Sequence, residues 1–91
     1  MINVVMHGCN GKMGRAVTAL VNEMQDCEII CGIDLFTEVS NDYPVFTSPM
    51  LISEDLIKKS NVIIDFSNPS ALNGLLEFAV MKSLPAVIST T

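Results

Sequence analysis

The chain has no tryptophan, one tyrosine, one histidine and only five lysines and arginines among its 91 residues. Those cations, Lys12, Arg15, Lys58, Lys59 and Lys82, are scattered, and ten acidic residues leave a net charge of −5. Neutralising nucleic-acid phosphates takes a basic stripe, so no nucleic-acid partner is expected. Cys9, Cys27 and Cys31 have no C-x-x-C spacing, and a lone His7 cannot complete a tetrahedral metal set with them. No metal and no disulfide framework is expected; small buried thiols in a reducing compartment are. No uncharged stretch approaches the ~20 residues of a membrane span, and no basic, apolar and cleavable leader is visible. A soluble, cytoplasmic chain without a membrane partner is the expectation.

What the sequence does have is apolar mass, 49% hydrophobic against 16% charged residues. That excludes a disordered chain, and 91 residues fit one domain over 1–91, since independent domains need about 50–200. A domain this small hides only about 60–65% of its unfolded surface. Strands covered on both faces absorb some of the apolar excess. A face meant for another domain, or for a second copy in a homo-oligomer, absorbs the rest. The chain also stops at Thr90-Thr91 directly after an apolar run, with no closing helix. It therefore reads as a fragment.

Along the chain, short apolar runs alternate with helical periodicity. Residues 2–6 form a short apolar strand-like run, broken only by Asn3 and ending before Gly8, and His7 sits at its end. Met13, Ala16, Val17, Leu20 and Met24 then recur at helical spacing. A second strand spans 28–33, a polar loop 36–44, and a short extended piece Val45-Phe46. Ser53-Glu54-Asp55 opens a brief helix to about Lys59, with a hydroxyl cap, early carboxylates and late lysines. A third strand spans 61–66. Ser67-Asn68-Pro69 starts a helix through Leu72, Leu75, Leu76, Ala79 and Val80, with Gly74 its weak spot. The last strand spans 85–89. This alternation predicts an α/β, Rossmann-type parallel sheet with helices on both faces, ordered 3-2-1-4-5, with Val45-Phe46 at an edge.

The sharpest motif is Gly8-Cys9-Asn10-Gly11-Lys12-Met13-Gly14, G-x-x-G-x-x-G between the first strand and the first helix. Gly8 allows a tight turn, Gly11 leaves room for a pyrophosphate to approach backbone amides, and Gly14 lets helix and sheet pack closely. The helix start supplies unpaired amides and partial positive charge, so an acidic chain can hold a diphosphate locally. The rival reading is a turn that serves only the fold. No Lys-Ser/Thr pair follows, which excludes a nucleoside-triphosphatase loop.

Asp34 lies 20 residues past Gly14, where an acid accepts the hydroxyls of an adenosine ribose. Its charge repels a 2′-phosphate and the next residue is Leu35 rather than a clamping arginine, so NADH is preferred and NADPH remains possible through Lys12. A solvated loop carboxylate is the rival reading. Asp65-Phe66-Ser67 and Ser89-Thr90-Thr91 end their strands on the same edge, suited either to a nicotinamide or to ordinary capping. His7, without a visible orienting partner, reads as a packing or loop residue, and no catalytic residue is assigned. Cys9 near a helix start raises a side expectation of a lowered thiol pKa and a redox-sensitive loop.

Together these pieces resemble the amino-terminal part of the dihydrodipicolinate (4-hydroxy-tetrahydrodipicolinate) reductase family. The family's G-x-x-G-[RK]-M-G-[RQ] loop is similar to Gly8 through Arg15. Its V-x-I-D-F-[ST]-x-P segment resembles Val62 through Pro69, and its V-x-G-T-T-G ending resembles Val87 through Thr91, with Ser89 where the family has glycine. The resemblance implies NAD(P)H-dependent reduction in lysine and diaminopimelate biosynthesis. It also implies cofactor contacts at Gly8, Cys9, Asn10, Gly11, Lys12 and Met13, at Asp34, and at Phe66, Ser89, Thr90 and Thr91. The family's substrate-binding domain is missing, so the fragment is expected to hold the dinucleotide but to be inactive alone. Two other readings stay open. One is the cofactor domain of an aspartate-semialdehyde or homoserine type dehydrogenase; the other is a non-catalytic nucleotide- or CoA-binding module.

Overall fold

A computed structural model describes residues 1–89. Five strands form one all-parallel sheet: β1 (Ile2–His7), β2 (Cys27–Ile33), β3 (Val45–Phe46), β4 (Val62–Asp65) and β5 (Ala86–Ile88). Their order is β3-β2-β1-β4-β5, as the alternation predicts. Helix α1 (Lys12–Asn22) joins β1 to β2, α2 (Glu54–Lys59) lies between β3 and β4, and α3 (Leu72–Met81) joins β4 to β5. The order of the chain reverses between β1 and β4, and in open parallel sheets ligands gather at such a point, outside the carboxyl ends of the strands.

The two faces of the sheet have separate cores. Val4 and Met6 pack with Cys9, Val21 and Ile29 on the α1 side. Val5 and Ile63 pack with Ile33, Ile57, Leu75 and Phe78 on the α2 and α3 side. Side chains alternate along a strand, so neighbours in β1 feed opposite cores. In β2 an irregularity opposite Val4 and Val5 inserts a residue, pairing Val4 with Ile29 and Val5 with Cys31. This bulge is why Ile29 and Cys31, two residues apart, serve different cores.

Ser53 caps α2 by accepting from the Leu56 amide at 3.3 Å, with Glu54 and Asp55 in the first turn and Lys58 and Lys59 in the last. The helix expected after Pro69 begins as a 3₁₀ turn, Pro69–Ala71, before α3, and a second 3₁₀ turn, Pro49–Leu51, precedes α2. The strands differ from the sequence reading at their ends. In particular β1 extends to His7, so this residue belongs to the strand and not to the loop. Among the described residues no helix is long and apolar enough to cross a membrane.

Candidate functional site

Three glycines shape the turn from β1 into α1, and they do so for different reasons. Gly8 adopts φ +81, and a Cβ there would sit 2.7 Å from the Ser67 amide nitrogen. A Cβ on Gly14 would collide with the Gly8 carbonyl oxygen and stand 2.8 Å from Cys9 Cα. The fold itself demands both. Gly11 is extended, with φ −75 and ψ 173, a conformation open to any residue. A Cβ there would find only the Gly8 carbonyl oxygen, at 3.5 Å. Neither packing nor backbone conformation requires glycine at position 11.

The amides of the turn itself are engaged within the protein. Gly8 N donates to the Ile33 carbonyl at 2.7 Å, and Cys9 N to the same oxygen at 3.4 Å. Asn10 N donates to Asp34 Oδ2 at 2.9 Å, and Gly11 N to the Gly8 carbonyl at 3.3 Å. The open donors lie further on. Gly11 offers α1 no side-chain cap, its first turn carries no acid, and its first backbone bond runs from Arg15 N to Gly11 O. The amides of Lys12, Met13 and Gly14 therefore have no acceptor among the described residues. Such a bare helix start carries partial positive charge and three aligned donors.

Asp34, half-buried at the end of β2, receives Asn10 N on one oxygen and Phe36 N on the other, both at 2.9 Å. Asn10 is itself buried; its Nδ2 donates to the Phe36 carbonyl at 2.7 Å and its Oδ1 accepts from Asn41 Nδ2 at 2.8 Å. The side chain of Asn10 thus ties the glycine turn to the loop after β2. Each Asp34 oxygen keeps a lone-pair site beyond these bonds. Cys9 is fully buried, and Gly32 admits its sulfur, since a Cβ on Gly32 would stand 2.6 Å from Cys9 Sγ. Burial, and after it the Asp34 charge, push the Cys9 thiol up to about 11. This overturns the expected reactive thiol. A helix start lowers a thiol pKa only where the sulfur reaches it in polar surroundings, and here the sulfur faces the core.

A cavity of about 360 Å³ opens on the carboxyl edge, lined by His7, Gly8, Gly11, Asp34, Phe66, Ser67 and Asn68 and by residues of the segments before α2 and at the start of α3. Gly74, the weak spot of its helix, lines this space, and a Cβ there would meet nothing within 4 Å. Phe66 N donates to the His7 carbonyl at 2.8 Å, and Ser89 N to the Asp65 carbonyl at 2.9 Å, which sets both expected nicotinamide-side residues on this edge. Thr90 and Thr91 lie outside the described residues.

The sequence reading missed the pair at the centre. His7 and Asp65 are register partners of β1 and β4, and His7 Nδ1–H donates to Asp65 Oδ1 at 2.7 Å with both residues buried. Ser67 donates its amide at 3.0 Å and its hydroxyl at 2.5 Å to the same oxygen. Because the hydroxyl serves the acid and not the imidazole, the three residues do not form a nucleophile relay. The signal was available in principle: both residues end strands expected to be neighbours in the sheet.

A family model described as dihydrodipicolinate reductase, N-terminus, matches residues 2–91. The chain belongs to this family. The 4-hydroxy-tetrahydrodipicolinate reductase of Clostridium botulinum (strain Eklund 17B / Type B) is 40% identical over 91 residues, 100% of this chain and 34% of that protein. The enzyme of the same name from Clostridium tetani (strain Massachusetts / E88) is 37% identical over the same shares. Among solved structures, dipicolinate-bound dihydrodipicolinate reductase from Paenisporosarcina sp. TG-14 matches with a TM-score of 0.76 and 27% identity. It is covered to 38% by 100% of this chain. The chain spans about a third of the length of the curated reductases it matches.

Within this reductase family the match includes the glycine turn, the 62–69 segment and residues 87–91. These are the three segments on which the resemblance was read from the sequence.

Proposed function

We propose that the chain is the dinucleotide-binding part of a reductase that passes hydride from NADH or NADPH to a dihydrodipicolinate-type cyclic imine. The single observation that carries the reading is the uncapped start of α1, beside a glycine at position 11 that the fold does not require. The family and the names of its relatives supply the chemistry. Fit to a diphosphate rests on the open amides of Lys12, Met13 and Gly14, with the Gly8 to Gly11 turn shaping the approach. Asp34, braced by two amides, takes the adenosine ribose hydroxyls at the far end of the same edge. Phe66 and Ser89, with Thr90 and Thr91, take the nicotinamide side.

When bound, the cofactor supplies the hydride; the residues of this chain hold and orient it. Asp34 with Leu35 beside it, in place of a clamping arginine, disfavours a 2′-phosphate, so NADH is the better ligand. Substrate holding falls to the further length that the reductases have, and the 91-residue chain is inactive by itself. The reaction belongs to lysine and diaminopimelate biosynthesis, in the cytoplasm.

Calorimetric titration of the chain with NADH, NADPH and CoA tests the reading. Tightest binding of NADH is expected. Tighter binding of NADPH overturns the role given to Asp34, and CoA binding with no affinity for either nicotinamide cofactor overturns the reductase reading.

A further inference from the structure

We propose that His7 contacts the bound dinucleotide and takes up a proton as the diphosphate settles beside the turn. The inference rests on the dinucleotide reading above and goes beyond it. Asp65 carboxylate oxygens only accept, so the Nδ1 of His7 carries its hydrogen in either charge state, and the pair fixes the ring's orientation. That leaves Nε2. It has no hydrogen-bond partner among the described residues, yet no buried side-chain nitrogen or oxygen there lacks one. Nε2 is therefore not sealed in, and His7 lines the cavity. In the neutral ring Nε2 is a bare acceptor; protonated, it is a donor to an anion.

Charge decides which form the ligand selects. Asp34 at the end of β2 lines the cavity, and Asp65 on β4 lies fully buried behind the imidazole. The facing segments, Thr47, Ser48 and Pro49 before α2 and Ala71, Gly74 and Leu75 at α3, bring no charge. Glu77 of α3 is exposed, and Lys12 and Arg15 are exposed on α1. A diphosphate entering here meets two carboxylates, and His7 is the one lining side chain able to become cationic. A charge-assisted bond from Nε2–H to a phosphate oxygen, with Nδ1–H held by Asp65, answers both anions at once. The proton comes from solvent.

His7 is the only histidine in the chain, so its ring signals need no assignment. Long-range proton–nitrogen spectra of the 91-residue chain report the protonation of Nε2 directly. At a pH where the free ring is neutral, saturating NAD⁺ is expected to move Nε2 to its protonated position, and inorganic pyrophosphate to do the same. Adenosine, which brings no phosphate, is expected to leave it in place. Calorimetry in buffers of different ionisation enthalpy is expected to show net proton uptake with NAD⁺. His7→Asn is expected to lose that uptake and roughly tenfold in affinity. The wild-type spectra stand without the variant should it fail to fold. NAD⁺ binding with an unchanged ring overturns this proposal and leaves the dinucleotide reading intact. Failure of the wild-type chain to bind NAD⁺ overturns both.

Discussion

Helices α1 and α3 both begin on the carboxyl edge of the sheet; α1 starts directly from its glycine turn, whereas α3 is led in by a capped 3₁₀ turn. In that turn, Asn68 accepts from Ser70 N at 3.1 Å, Pro69 has no N–H, and Ala71 N donates to the Asn68 carbonyl at 3.1 Å. Leu72 N returns to the Pro69 carbonyl. The amides of Ser70, Ala71 and Leu72 are all used in this lead-in turn. At α1 the cap is a glycine with no side chain, and three amides stay open. A glycine at the cap is less stable than an asparagine or aspartate there by a few tenths of a kcal/mol. Within one small domain, the crossover that keeps this deficit is the one proposed above to hold the diphosphate.

The comparison can be broken or sharpened by substitution. The largest effect is expected from Gly14→Ala, whose Cβ strikes the backbone of the turn, not a yielding side chain. Folding should fail or lose more than about 3 kcal/mol, read by urea unfolding. Gly11→Asp gives α1 a side-chain cap like the one Asn68 gives the 3₁₀ turn before α3, at a position with room for the side chain. Stability should rise by a few tenths of a kcal/mol, while NADH affinity falls by roughly two orders of magnitude as the carboxylate fills the anion's place. An unchanged affinity would mean that the start of α1 holds nothing.

The buried thiols give a pH signature on the α1 side and across the sheet. Burial holds Cys9 and Cys31 up to about 11, against 9.0 for an ordinary thiol. The folded chain thus keeps protons that the unfolded chain gives up. Their contribution is complete below 9.0 and is lost as the pH rises towards about 11, so urea midpoints should fall over that window. The smallest effect is expected from Asn68→Ala. Losing the cap of the turn before α3 should cost about 1 kcal/mol, measured by thermal unfolding.

Much of this architecture was legible because it rests on local patterns. Alternating apolar runs and helical spacing gave the strand order, and Ser53-Glu54-Asp55 announced α2 through its own cap. The glycine turn lies between β1 and α1 as expected, but which of its amides are engaged within the protein was not legible. Which amide meets which carbonyl depends on where Ile33 and Asp34 arrive from β2, and that is tertiary information. Cys9 misled for the same reason: its sequence position suggests a helix start, while the approach permitted by Gly32 turns the sulfur into the core. His7 and Asp65 sit 58 residues apart, and only sheet register makes them partners.

The most direct test of the open helix start is an amide-resolved NMR titration of the ¹⁵N-labelled chain with NADH. The amides of Lys12, Met13 and Gly14 should shift most, while those of Gly8, Cys9, Asn10 and Gly11 keep their internal bonds and their protection from exchange. Binding that moves the amides around Asn68 and Ser70 and leaves Lys12, Met13 and Gly14 where they were would contradict it.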